Sequence, residues 1–263
     1  MKKRPFLHSL LGAVLLGVAG LPAIAHADAL DAAEKNGTLR VAVPQDFPPF
    51  GTVGPDLKPR GYDIDVANLI GRELKLKVEL IPVSSTNRIP YLTTGKADLV
   101  ISSLGRNPDR EKVIDFSTAY APFFNGIFGP TDMTVKAAAD TAGKTVGVTR
   151  GSVEDLEFSK IAPPSTTLKR FEDNNATISA YLSGQVQLIA TGNVVAAAIN
   201  ERTRLRRLDA KFLIKNSPCY VGVNKGETAL LAKVNEIIAK LKKSGELNQV
   251  SQRWLQAPLP ADL

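Results

Sequence analysis

The sequence predicts an α/β fold built as two lobes, with the chain crossing between them twice. Three observations predict it. Apolar runs rich in β-branched residues alternate with helical patterns, the rhythm of layered α/β units. Two segments, 121–128 and 216–220, carry aromatics interrupted by glycine or proline and read as an exit from one unit and a return to it. No Gly/Ser linker, low-complexity tract or internal repeat separates the units, which argues against domains strung as beads. On this reading, residues 28–121 and 217–263 form a discontinuous first lobe and residues 122–216 a second.

The elements follow in order. Residues 39–43 (LRVAV) read as a first strand, stopped by Pro44 and the Pro48-Pro49 pair. Residues 63–74 have the spacing of an amphipathic helix opening after Gly61. Lys77–Val83 reads as a second strand, 89–94 as a short helix and 98–102 as a third strand. At Asn107-Pro108 a favoured N-cap residue precedes a proline at the first helical position, where a missing N–H costs nothing. That puts Arg110 in a first helical turn, able to swing back past the loop of Ser102, Ser103 and Gly105. Its guanidinium fork suits a carboxylate, although Asp109 and Asp115 offer it a plain surface pairing. Thr145–Thr149 reads as a strand, and Ser152 with Asp155 fits the S-x-x-D pattern of a helix start. Such a start attracts anions, or Ser152 simply caps it. Residues 233–243 and 246–254 read as closing helices on the first lobe.

Composition narrows the function. Lys2, Lys3 and Arg4 precede an apolar run and Ala25-His26-Ala27, the arrangement of a cleaved export signal over residues 1–27. No later segment reaches the roughly 18–20 apolar residues of a membrane helix, so a soluble, periplasmic product is expected. The formal charge of +7 falls to +4 without the signal, too mild and scattered for a nucleic-acid reader. Cys219 is the single cysteine, and both histidines, His8 and His26, lie in the signal. The remaining chain therefore has no intramolecular disulfide, no imidazole for a Ser-His or Cys-His dyad and none for a zinc site. No catalytic residue, metal or cofactor is expected.

Phe47-Pro-Pro-Phe50, Gly61-Tyr-Asp-Ile-Asp65, Arg88-Ile-Pro, Gly95-Lys-Ala-Asp98, the 102–110 loop, Asp115-Phe-Ser117, Gly143-Lys-Thr-Val-Gly147 and Gly151-Ser152 recur in order over nearly the whole chain. Together they resemble the family 3 solute-binding proteins of ABC importers, the polar amino-acid class, nearest to its glutamate/aspartate branch. The resemblance implies a periplasmic binding protein type II fold, a ligand clamped between the lobes, and a monomer that presents its closed form to an inner-membrane permease. It also implies site residues. Arg110 matches the arginine that holds the ligand α-carboxylate, helped by N–H groups near Gly105 and at Ser152-Val153. Ser103 matches a position whose carbonyl or hydroxyl faces the α-amino group, Ser102 opens the same ligand-binding loop, Phe47 matches an aromatic that covers the ligand, and Arg88 an arginine that reaches a second carboxylate.

Two positions depart from the family pattern. The acidic residue that pairs with the ligand ammonium falls on Gly192, with Asn193 beside it, and the usual aspartate earlier in that segment is Gln187. A desolvated ammonium without a carboxylate costs several kcal/mol, so Asn193, Glu154 or Asp46 takes over, or the ligand has no α-ammonium. Ser85 stands where binders of basic amino acids carry a second aromatic, which favours an acidic or polar ligand. The competing expectation is a dehydratase resembling cyclohexadienyl dehydratase, with Glu154 as proton donor.

Overall fold

The computed structural model describes residues 29–263. The export signal expected over residues 1–27 lies outside the described residues. After a short helix α1 (Ala29–Asn36), the apolar run at 39–43 lies inside β1 (Thr38–Pro44), whose Val41, Ala42 and Val43 are fully buried. Such a strand must be covered on both faces. A small three-stranded sheet follows, of β2 (Asp46–Phe47), β3 (Gly51–Val53) and β4 (Pro59–Arg60). Helix α2 (Tyr62–Leu74) then buries Ile64, Val66, Ala67 and Ile70 against β1 and its neighbours. Each large aliphatic side chain so buried contributes roughly 1.5–3 kcal/mol.

The first lobe continues with β5 (Lys77–Val83), α3 (Arg88–Thr93), β6 (Leu99–Gly105), α4 (Pro108–Glu111) and β7 (Ile114–Ala121). The chain crosses through Pro122 and Phe123 into the second lobe. There β8 (Phe124–Gly129), β9 (Thr145–Thr149), α5 (Val153–Ile161), β10 (Thr167–Phe171), α6 (Asn174–Leu182), β11 (Leu188–Gly192), α7 (Asn193–Arg202) and β12 (Asp209–Asn216) follow in turn. It returns through Ser217 and Pro218 to β13 (Cys219–Asn224), and α8 (Thr228–Ser244) and α9 (Glu246–Leu255) close the first lobe.

The sheet orders explain how one cleft arises. The first sheet runs β5-β1-β6-β13-β7 and the second β10-β9-β11-β8-β12. In each, parallel strands are completed by antiparallel ones next to a crossing: β13 pairs antiparallel with β6 and β7, and β8 with β11 and β12. The two crossings lie side by side, since the Ser217 N–H donates to the Phe123 carbonyl at 3.0 Å. Loops at the carboxyl ends of β1, β6 and β9 thereby face one another, where open α/β sheets bind ligands. Cys219 is fully buried on β13 between Gly105 and Ala121 and serves as a packed apolar residue.

Candidate functional site

Seven of the nine residues expected at the site line one cavity between the lobes: Phe47, Arg88, Ser102, Ser103, Gly105, Ser152 and Val153. In this closed arrangement the cavity measures about 20 Å³, room for one or two waters.

Arg88 opens α3, and its side chain runs back under β6. Its Nη1 donates to the Ser102 carbonyl at 2.8 Å and its Nε to the Ser85 carbonyl at 3.2 Å, while Nη2 makes no hydrogen bond. The guanidinium is buried, and burial lowers its pKa against the opposing pull of Glu154, Asp63 and Asp46. Arg110 is also buried. Asn107 caps its short helix by accepting the Arg110 N–H at 2.8 Å, as the Asn-Pro pair predicts. Its guanidinium then reaches two carbonyls, Gly105 through Nη1 at 2.6 Å and Gly151 of the second lobe through Nη2 at 2.8 Å. Burial and the nearby Arg88 charge bring its pKa down to about 9, still protonated at neutral pH. Among the described residues neither arginine has an ion-pair partner: Asp109 pairs with Lys112 and Asp115 with Lys225.

Ser103 sits at φ 39°, a left-handed conformation that costs a serine about 1 kcal/mol or more. Asp63 holds it there, its Oδ2 accepting the Ser103 N–H at 2.6 Å and its Oδ1 the Tyr120 hydroxyl at 2.6 Å. Burial raises the Asp63 carboxyl to about 7, against those two donors and the Arg88 charge.

The second lobe contributes the start of α5. Ser152 Oγ accepts the Asp155 N–H at 3.1 Å, and Asp155 accepts the Gly151 N–H at 3.1 Å, so the predicted capping pattern forms one residue wider than a simple box. Glu154, in the first turn, turns into the cavity. It is buried, its Oε1 has no hydrogen-bond partner among the described residues, and burial raises its pKa against its own backbone N–H, the Ser152 side chain and, more weakly, the Arg88 and Arg110 charges. Asp46 approaches from the first lobe and accepts the Asn174 N–H at 2.6 Å and the Asn175 N–H at 3.3 Å, docking on the N-terminus of α6.

Two of the nine expected residues stand outside the cavity wall. Arg110 lies beside the cavity rather than in its wall, because its fork is turned onto the Gly105 and Gly151 carbonyls. Asn193 is exposed at the start of α7, accepts the Phe124 N–H at 3.3 Å and does not line the cavity. Sequence reasoning missed Phe123, Asn125, Asn174 and Ser217, all in the wall. Three of them lie on or next to the two crossings, so the crossing segments themselves were the available signal. The rings of Phe47 and Phe123, 5.9 Å apart, make the apolar side.

Comparison with known proteins places the chain in a family. The model of "Bacterial extracellular solute-binding proteins, family 3" matches residues 39–257. The chain is 25% identical over 234 residues to the glutamine-binding protein GlnH of an ABC transporter in Bacillus subtilis, covering 87% of this chain and 85% of that one. It is 26% identical over 246 residues to the L-cystine-binding protein TcyJ of Escherichia coli, covering 91% of each. Among solved structures it is similar to the ancestral amino acid-binding protein AncCDT-1, a precursor of cyclohexadienyl dehydratase, with a TM-score of 0.79 and 28% identity over 87% of this chain and all of that one.

Proposed function

The chain belongs to family 3 of the bacterial extracellular solute-binding proteins, and on that premise we propose that it captures an amino acid or related small carboxylate, acidic or polar, in the periplasm and delivers it to an ABC permease. Capture takes place between a lobe of residues 28–121 and 217–263 and a lobe of residues 122–216. One observation carries the reading: Arg88 and Arg110 are two buried guanidiniums whose hydrogen bonds go to carbonyl oxygens and which, among the described residues, form no ion pair. Buried charges of this kind call for a carboxylate, and a guest supplies it. Arg88 Nη2 is unbonded at the wall. Parting of the lobes separates Arg110 from Gly151 and frees its Nη2 for the same carboxylate, while the Val153 N–H at the start of α5 approaches on closure; the Ser152 N–H is held by the Thr149 carbonyl at 3.1 Å. Phe47 and Phe123 exclude water from the guest's apolar part.

Thermal-shift screening of the amino acids, L-cystine and simple dicarboxylates tests this. A guest at a hundredfold its Kd adds about 2.7 kcal/mol to stability. A panel in which nothing raises the melting temperature contradicts the proposal.

A dehydratase is the second reading, favoured by one observation, the buried carboxyl of Glu154 at the cavity with its pKa raised toward that of a proton donor. Turnover of prephenate or arogenate that is lost in Glu154→Gln supports it. No turnover by the wild type removes it.

A further inference from the structure

Three carboxylates surround the cavity, and two are fully engaged. Asp46 spends Oδ2 on the Asn174 and Asn175 N–H groups and meets the Asn174 amide with Oδ1. Asp63 spends one oxygen on Ser103 and the other on Tyr120. Glu154 alone keeps an oxygen, Oε1, without a hydrogen-bond partner although the residue is 4% exposed. Leaving such an acceptor buried and unsatisfied costs roughly 1–3 kcal/mol, more for a charged group. A second orphan lies in the same wall. Ser217 Oγ, on the returning crossing, is buried and also unpartnered. A Cβ on Gly105 would come within 2.6 Å of that hydroxyl and of the Val153 side chain, so the glycine lets the first-lobe loop, the crossing and the start of α5 meet.

Strand β11 offers no carboxylate of its own. Gly192, at its end, has no side chain, and a Cβ there would sit 2.0 Å from Cζ of Phe123. The phenyl ring occupies the room that an acidic side chain at 192 would need. The cavity therefore has donors, Arg88 Nη2 and the start of α5, together with two unsatisfied oxygens in the same wall.

We infer that Glu154 and Ser217 form the subsite for the ammonium of an amino acid whose carboxylate rests on Arg88 and Arg110, so that the second lobe supplies the ammonium partner from α5 instead of from β11. The inference rests on the amino-acid capture reading above. An ammonium has three donors, and Glu154 Oε1 and Ser217 Oγ satisfy two of them while regaining the bonds that both oxygens lack. The subsite selects amines over the corresponding des-amino acids, because an amine-free guest leaves both oxygens unsatisfied.

Calorimetric titration tests it with L-glutamine, L-glutamate and L-arginine, each paired with its des-amino acid. The wild type is expected to bind at least one of these amino acids and to prefer it over its des-amino partner by about tenfold or more, the scale of a charge-assisted bond. Glu154→Gln, nearly isosteric, is expected to lose about tenfold or more for the amino acid and to change by less than about twofold for the des-amino acid. Ser217→Ala shows the same pattern with a smaller loss, and Glu154→Asp retains part of the preference. If Glu154→Gln weakens amine and des-amino acids equally, or the wild type binds both equally, the subsite is overturned while capture stands. If the wild type binds none of the six, the subsite is overturned for these amino acids, and the capture reading itself fails if the thermal-shift panel is silent as well.

Discussion

Arg110 Nη2 donates to the Gly151 carbonyl at 2.8 Å, so a first-lobe side chain is bonded to the backbone of the second lobe across the cleft. Asp46 makes the reciprocal link on the other side of the cavity, its carboxylate seated on the first N–H groups of α6. Both links form within the chain and hold the lobes together.

The first prediction concerns these links. Asp46→Ala removes a charge-assisted contact worth roughly 1.5–3 kcal/mol, leaving the α6 N–H groups to water. The ligand-free variant should show a larger radius of gyration by small-angle X-ray scattering than the wild type, at unchanged helix content. A radius equal to that of the wild type would show that this contact does not hold the lobes.

Gly192 and Phe123 form a packed pair. Gly192→Ala pushes a methyl group into the Phe123 ring, an overpacking that costs typically 1–3 kcal/mol. Urea denaturation should show that loss, and Phe123→Leu in the same chain should recover part of it. Additive losses in the double variant would mean that the two positions are not in contact.

Asp63 gives a pH signature. Its folded pKa of about 7 stands above the ordinary carboxylate value because burial disfavours the charged form. The folded state therefore prefers the protonated acid. This contribution to stability is complete below about pH 4, the unfolded carboxylate range, and is lost as pH rises through 7. Melting temperatures from pH 4 to 8 should fall more steeply for the wild type than for Asp63→Asn, which cannot ionise. Parallel slopes would place the titration elsewhere, in Asp46 or Glu154, whose pKa values burial also raises.

The layered fold was legible because its signals are local. Lys77–Val83 and Thr145–Thr149 carry their strand pattern in their own residues, Asn107-Pro108 announces a helix start, and each appears where the sequence places it. The small sheet of β2, β3 and β4 was not legible, since strands of two or three residues have no period to read. The site was legible where a loop must face the cleft, at Ser102, Ser103, Gly105 and Ser152. It was not legible where a long side chain chooses between acceptors: Arg110 turns to the Gly151 carbonyl, a group that only closure of the lobes brings near. Ser217 and Phe123 carry no motif, and their place in the wall follows from the two crossings meeting there.

The central claim is that the buried Arg88 and Arg110 charges hold the carboxylate of a captured amino acid. Calorimetric titration of the best-binding amino acid from the screen into Arg88→Gln/Arg110→Gln tests it most directly, because the substitution removes both charges while leaving a polar amide in each place. With the fold verified by circular dichroism, the account predicts a loss of about a hundredfold or more, from two charge-assisted contacts of roughly 1.5–3 kcal/mol each. Binding within about threefold of the wild type, less than one such contact, would contradict it.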